Sequence, residues 1–417
     1  MSKETRYVII GNSAAAVGTV EGIRQADKTG PITLISREPY HTYSRPLISY
    51  LLLGKTTEEK MRYRGADFYE KNGCTLMAGR TAAAIDPAAR LVTLDDGTQV
   101  PYDRLMCATG SRPFIPPMAG LDQVKPVHTF MSLDDARALQ ADLAPEARVL
   151  IIGAGLIGLK CAEGIAQSVK SVTVVDLADR ILSSILDADA AALMQAHLEQ
   201  HNMSFLLGDS VDRFEPRRAH LKSGLVVDFD VLVVAIGVRP NTDLLKQAGA
   251  ALNRGITVDD HMRTTLPDVY CAGDCVESYD ISCGMTRILA LLPNAYAQGE
   301  CAGINMAGGS AVFGKAIPMN AIGFFGLHII TAGSYTGECW SQVDPGQQQY
   351  KKLFYQDDLL KGYILIGDIR KAGIYTSLIR ERTPLSTVDF ELICEHPGLM
   401  AFTREYRDHA LAGAKEE

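Results

Sequence analysis

Residues 149–163 read Val-Leu-Ile-Ile-Gly-Ala-Gly-Leu-Ile-Gly-Leu-Lys-Cys-Ala-Glu, and few stretches restrict a fold as tightly. The run Val149, Leu150, Ile151, Ile152 is continuously apolar rather than alternating, as in a parallel strand covered on both faces. It enters Gly153-Ala154-Gly155-Leu156-Ile157-Gly158 and then a helical pattern. In that order Gly153 permits the tight turn, Gly155 lets a backbone approach a pyrophosphate, and Gly158 lets helix and strand pack closely. The helix start at Leu156 and Ile157 adds free N–H groups and a partial positive charge. Asp176 closes the next expected strand, 172–175, where a carboxylate can accept from a ribose diol. A doubly wound α/β unit binding a dinucleotide is the expectation.

A degraded copy opens the chain. Residues 7–10 form the expected strand, and Gly11-Asn12-Ser13-Ala14-Ala15-Ala16 the turn, with Ser13 and Ala16 where the second and third glycines stand. Small residues still admit a phosphate and a packed helix. Glu38, just past the expected strand 32–36, is the ribose acceptor of this copy. By itself the segment also admits, as the lesser reading, a βαβ unit that binds nothing.

At 417 residues there is room for two or three domains, and 47% hydrophobic with 22% charged residues excludes extended disorder. The net charge of −8 supplies no attraction to nucleic acid or an anionic membrane. The first residues enter a strand without an apolar leader, and the stretch 321–333 is short and interrupted by His328, so a cytoplasmic location is expected. Nine cysteines contain no CxxC pair. Cys271, Cys275 and Cys283 cluster, but no second pair completes four ligands, so reduced thiols and no metal are expected.

Three later stretches place these turns in a larger pattern. Residues 105–113 (Leu-Met-Cys-Ala-Thr-Gly-Ser-Arg-Pro) and 233–240 (Val-Val-Ala-Ile-Gly-Val-Arg-Pro) are each an apolar strand, a small-residue turn and a proline. Residues 265–274 end a strand on Cys271-Ala272-Gly273-Asp274. Together with the two glycine turns, this order resembles the pyridine nucleotide–disulfide oxidoreductase family over about the first three hundred residues. The resemblance implies two Rossmann-like dinucleotide-binding domains, for FAD and NAD, with a C-terminal α+β domain. The NAD domain, 119–237, would be inserted between the two parts of the FAD domain, 1–118 and 238–315, with 316–417 as the C-terminal domain. It assigns Gly11, Ser13, Ala14, Glu38, Arg45, Pro46, Thr109, Gly110, Gly273 and Asp274 to FAD. Gly153, Gly155, Ile157, Gly158, Asp176 and Gly237 fall to the nicotinamide nucleotide. Asp176 would repel a 2′-phosphate and so favours NADH, while Arg180 keeps NADPH as the lesser reading.

Disulfide reductases of this family carry redox cysteines on the first-domain helix. Residues 40–50 here contain none, which argues against disulfide reduction and against peroxide chemistry through a sulfenic acid. Tyr43-Ser44-Arg45-Pro46 instead resembles the branch of NADH–rubredoxin reductases and of the NADH module of nitrite reductase large subunits. Residues 293–299, 317–320 and 360–368 extend that likeness along nearly the whole chain. Lys160 occupies a place where many relatives have a glutamate near the flavin. It reads either as a cation stabilising reduced flavin or as a solvated helix lysine. Arg45 reads as a flavin or phosphate neighbour.

In the last hundred residues, strands are expected within 319–333 and at 335–341, 350–356 and 359–367, with a turn at 343–346 and a helix at 372–381 ending before Pro384. By resemblance this domain builds a dimer interface and a wall of the flavin site, with Phe324 and Phe325 as flavin neighbours or ordinary core residues. Beyond Phe390, a helix and a charged end carrying Glu405 and Lys415 are expected. The implied activity is hydride transfer from NADH to flavin N5, followed by electron delivery to a rubredoxin- or ferredoxin-like iron–sulfur protein, by a monomer or homodimer. An NADH oxidase or diaphorase, and a non-enzymatic flavoprotein subunit or redox sensor, are the alternatives.

Overall fold

A computed structural model describes residues 4–404 and Arg407, so Glu405 and Lys415 of the expected charged end lie outside the described residues. The chain divides into two compact units. The first comprises Met1–Ser184, Leu198–Ser278 and Thr286–Gly314, and the second Ile185–His197, Tyr279–Met285 and Lys315–Glu417.

The first unit contains two five-stranded parallel sheets of one design. In one, the strand order is Val269–Cys271, Arg104–Cys107, Tyr7–Ile10, Ile32–Ser36, Cys74–Ala78. In the other it is Met203–Leu207, Ser171–Asp176, Arg148–Ile152, Val231–Val234, Val127–His128. Each sheet puts its earliest-turning strand, Tyr7–Ile10 or Arg148–Ile152, in the middle, with the chain departing to opposite sides. That arrangement opens a crevice at the carboxyl ends of the strands. All four residues of Tyr7–Ile10 and of Val231–Val234 are buried, which is why these strands are continuous runs without a charged residue.

The helix Ala14–Ala26 leaves the first glycine turn and lies against Leu292–Met306. Their approach is unusually close. A Cβ on Gly18 would meet the Tyr296 carbonyl oxygen at 2.2 Å, on Gly22 that of Glu300 at 2.3 Å, on Gly299 that of Ala15 at 2.0 Å and on Gly303 that of Thr19 at 2.2 Å. Glycines four apart on both helices therefore place backbone against backbone, a geometry that suits Cα–H···O contacts.

The second unit holds a five-stranded antiparallel sheet in the order Met319–Phe324, Leu327–Gly333, Leu359–Ile366, Gln349–Gln356, Glu338–Asp344. Ala332, Leu353, Tyr363 and Leu365 share a core with Tyr375, Leu378 and Ile379 of the helix Ala372–Arg380. Asp187 accepts from Tyr350 Oη and Lys352 Nζ, both at 2.7 Å, and fixes Ile185–His197 within this unit. The stretch 319–333 is broken by a turn at Phe325 and Gly326, both at positive φ, and Phe324 is fully buried. The strand expected at 335–341 instead runs Glu338–Asp344, replacing the front of the expected 343–346 turn. Gly337, at φ +89°, sits where a Cβ would lie 2.4 Å from the Tyr355 carbonyl oxygen, so the pairing begins only after it. Asp389 caps the helix Phe390–Glu395 by accepting from the Leu392 N–H at 3.0 Å. Among the described residues, no helix is long and apolar enough to cross a membrane.

Candidate dinucleotide sites

Both glycine turns are built by the same backbone bonds. The Gly11 N–H donates to the Ile35 carbonyl at 2.9 Å, and the Gly153 N–H to that of Val175 at 2.8 Å. Both glycines have positive φ, +128° and +113°. A Cβ on Gly11 would meet the Ala108 oxygen at 2.2 Å, and one on Gly153 the Ala235 oxygen at 2.4 Å. Ser13 and Gly155 stand at the N-caps of Ala14–Ala26 and Leu156–Ile165, and neither helix start is capped by a side chain. Nothing lies within 4 Å of the Cβ position at Gly155, Gly110 or Gly237. These turns therefore carry bare backbone beside open space and uncapped N–H groups, which fits the pyrophosphates of FAD and NADH.

The crevices are joined by the two stretches that looked alike in sequence. Ser111–Pro113 pairs antiparallel with Val238–Pro240. Asn241 locks the junction: its N–H donates to the Gly110 carbonyl at 2.9 Å and its Nδ2 to the Thr109 carbonyl at 2.8 Å, while Thr109 Oγ1 donates to the Asn241 carbonyl at 2.8 Å.

Around the first turn, the structure gathers Glu38, Tyr43 and Arg45 into one cluster. Arg45 Nη2 reaches Glu38 Oε1 at 2.6 Å, and Tyr43 Oη donates to Glu38 Oε2 at 2.8 Å and accepts from the Leu133 N–H at 3.0 Å. Burial pushes the Tyr43 phenol up. Glu38 thus arrives with both oxygens engaged, and Arg45 is its ion-pair partner before it is anyone else's. Pro46 lies in the 3₁₀ turn Arg45–Leu47 that starts the helix Ile48–Leu52. Asp274 accepts from Ser111 Oγ at 2.8 Å. Burial raises its pKa, while Ser111 and the Arg45 charge pull the other way. The adjacent Gly273 N–H donates to Gln298 Oε1 at 2.8 Å, and Gln298 Nε2 to Ser278 Oγ at 2.7 Å.

Around the second turn, Asp176 accepts from the Ala154 N–H at 2.6 Å and the Ala178 N–H at 2.7 Å. Its carboxylate is oriented by backbone at the lip of the turn, without a side-chain cation in those two bonds. Lys160, expected either as a cation beside the flavin or as a solvated helix lysine, has close partners. It forms an ion pair with Glu163, whose side chain is only 4% exposed, and its Nζ lies 4.6 Å from the centre of the Tyr50 ring. It is therefore neither a solvated surface lysine nor an uncompensated charge. Ser111, Asn241 and Gln298 adjoin these turns although the sequence reading gave them no role; Tyr43, read there with Arg45 and Pro46, joins the Glu38 cluster. Ser111 and Gln298 lie inside stretches that it singled out, 105–113 and 293–299, and Asn241 directly follows another, 233–240.

Comparison with known proteins agrees with this geometry. Residues 5–299 match the family described as pyridine nucleotide-disulphide oxidoreductase, and 318–383 match the rubredoxin NAD+ reductase C-terminal domain. The chain is 33% identical to the NADH-dependent phenylglyoxylate dehydrogenase subunit epsilon of Aromatoleum evansii, over 92% of this chain and 93% of that one. It is also 33% identical to the assimilatory nitrate reductase electron transfer subunit of Bacillus subtilis (strain 168), covering 91% of this chain but only 50% of that protein. Among solved structures, putidaredoxin reductase in its covalent complex with putidaredoxin superposes with a TM-score of 0.87 at 24% identity, covering 99% of each chain. Paired parallel sheets, bare glycine turns and a family match over most of the length agree: this chain belongs to the pyridine nucleotide–disulphide oxidoreductase family and is an FAD-dependent NAD(P)H oxidoreductase.

Proposed function

We propose that the chain oxidises NADH and delivers the electrons to a rubredoxin- or ferredoxin-like iron–sulfur protein. The observation that carries this reading is the match of 318–383 to the rubredoxin NAD+ reductase C-terminal domain, beside a first-domain helix, Ile48–Leu52, that has no cysteine. FAD, when bound, supplies a centre that accepts a hydride and can release electrons one at a time. The remaining roles belong to the chain. Gly153, Gly155, Ile157 and Gly158 hold the NADH pyrophosphate, Asp176 its ribose, and Gly237 leaves space beside it. Gly11, Ser13 and Ala14 hold the FAD pyrophosphate, while Glu38, Arg45, Pro46, Thr109, Gly110, Gly273 and Asp274 line the rest. Hydride transfer asks for alignment rather than for an acid or base, so catalysis here is mainly positioning. The Lys160–Glu163 pair and Arg45 tune charge near the reacting rings. The free 2′-hydroxyl of NADH suits Asp176, and a 2′-phosphate would be repelled by it.

The test is anaerobic stopped-flow. The yellow holoprotein is reduced with NADH, then mixed with rubredoxin or with oxygenated buffer. Fast reoxidation by rubredoxin with slow reoxidation by oxygen is expected; fast reaction with oxygen alone would make the protein an oxidase. A second reading is favoured by the Aromatoleum evansii relative, which is named as a subunit and is matched over 93% of its length. In it, the chain is the NADH-handling subunit of a larger dehydrogenase. Purification of the native protein in a high-mass assembly, inert towards free rubredoxin, would select that reading.

A further inference from the structure

The turn that presents Gly273 and Asp274 is bracketed by sulfur. Cys271 ends the strand Val269–Cys271, Cys275 follows Asp274, and the two Sγ atoms are 3.4 Å apart. Closing that contact to a bond of ~2.05 Å asks for a movement of little more than about 1 Å. Cys271 and Cys275 are both 0% exposed, as is Cys107 on the neighbouring strand, so oxidants in bulk solvent do not reach them. What they do adjoin is the expected FAD cradle: Gly273 and Asp274 lie between them in the chain, and Cys275 Sγ donates to the Ala272 carbonyl at 3.3 Å.

The two thiols are also unlike. The hydrogen bond from the Cys271 thiol, opposed by burial, holds Cys275 below the ordinary thiol value. Burial pushes Cys271 and Cys107 well above it. A pair with one sulfur nearer its thiolate and the other a neutral donor is the arrangement that thiol–disulfide chemistry uses.

We infer that Cys271 and Cys275 are a dithiol–disulfide couple, a second two-electron site beside the one that FAD provides. The inference rests on FAD binding at Gly273–Asp274 and is independent of which acceptor takes the electrons. In the oxidising direction, both S–H bonds break and one S–S bond forms. The two thiols give up two electrons and two protons, and oxidised FAD accepts both. In the reducing direction, the disulfide takes two electrons and two protons from the NADH-reduced protein, and the S–S bond breaks. The family's usual cysteine position is vacant in this chain, and this couple lies on a different strand end altogether.

The experiment counts thiols and electrons on the holoprotein. Protein oxidised anaerobically with ferricyanide is quenched in acid and alkylated in denaturant with N-ethylmaleimide; a second portion is first reduced with NADH. Seven alkylated thiols of the nine are expected in the oxidised portion and nine in the reduced one. The tryptic peptide 264–287, which carries Cys271, Cys275 and Cys283, should bear a single maleimide in the oxidised portion and three in the reduced one, so the oxidised peptide is lighter by two maleimides and two hydrogens, with fragment ions placing the maleimide on Cys283 and the link between Cys271 and Cys275. Full reduction should consume two NADH per FAD in the wild type and one in Cys271→Ser. Nine thiols in both portions, or a link to Cys107 or Cys283, would overturn the couple even if NADH bleaches the flavin normally. Failure of NADH to bleach the flavin would instead strike at the proposed NADH oxidation, leaving the thiol count to stand or fall by itself.

Discussion

At the second turn a Cβ on Gly158 would lie 2.0 Å from the Gly153 carbonyl oxygen, whereas the first turn carries Ala16 at the corresponding place, fully buried with its methyl accommodated. The helix Leu156–Ile165 is therefore pressed against its own turn. The helix Ala14–Ala26 stands off far enough to admit a methyl group and is clamped from the other side through Gly18, Gly22, Gly299 and Gly303. Two turns with the same hydrogen bonds thus locate their helices by different neighbours. A missing fingerprint glycine is consequently no evidence of a missing site, provided that another element sets the height of the helix. The two acids differ in the same way: backbone alone is seen to orient Asp176, while Arg45 and Tyr43 hold Glu38.

The largest effect expected from this contrast is at the clamp. Gly299→Val forces a side chain into a Cβ position 2.0 Å from a backbone oxygen, and overpacking of this kind costs about 3 kcal/mol or more. Thermal unfolding should shift down sharply, with flavin lost from the purified protein; a wild-type melting curve would show that the clamp does not hold the first turn. Next comes Gly158→Ala, expected to weaken NADH binding by about tenfold or more, ~1.4 kcal/mol, with flavin content unchanged. Measured as the NADH dependence of flavin bleaching, equal loss of flavin and NADH binding would erase the distinction between the turns.

The acids should separate more modestly. Asp176→Asn removes the repulsion of a 2′-phosphate and is expected to shift the NADPH-to-NADH preference by several-fold without altering the fold. Glu38→Gln weakens the contact with Arg45 and should lower thermal stability by about 1 kcal/mol, with weaker flavin retention. If both variants changed only nucleotide preference, the ion-paired character of Glu38 would be without consequence.

The smallest effect concerns pH. Burial first, opposed by Ser111 and Arg45, leaves the Asp274 carboxyl above its ordinary 3.8. A raised carboxyl contributes stability that is complete below the unfolded value and is lost as pH rises through the folded one. Flavin-free Asp274→Asn should therefore be more stable than wild type at pH 7, by at most about 1 kcal/mol, and indistinguishable from it at pH 3. A difference that persisted undiminished in acid would show that Asp274 acts by shape rather than by charge.

Much of this was legible beforehand. Both turns, the central strands and the two acids were visible because a buried parallel strand must be a continuous apolar run and a backbone that meets a phosphate must carry small residues. The resemblance of 105–113 to 233–240 was visible too, but their pairing with each other across more than a hundred residues was not. Lys160 and Glu163 stood three apart on one helix, a readable ion-pair spacing that was passed over. Tyr50 beneath the lysine came from another element and left no such mark. In the second unit, the shifted strand Glu338–Asp344 turned on Gly337 and a carbonyl at Tyr355, a contact that no local pattern encodes.

The sequence by itself determined what is periodic or local: strand, glycine turn, helix, acid, twice over, and the lack of a cysteine where relatives carry one. Tertiary structure alone decided which side chains already have partners, how near two helices lie, and that Cys271 and Cys275 turn their sulfurs towards each other under Asp274. The division has a physical cause. Propensity and burial act through the nearest residues in the chain, whereas ion pairing, close packing and sulfur contact depend on distances of a few ångströms that only the folded chain establishes.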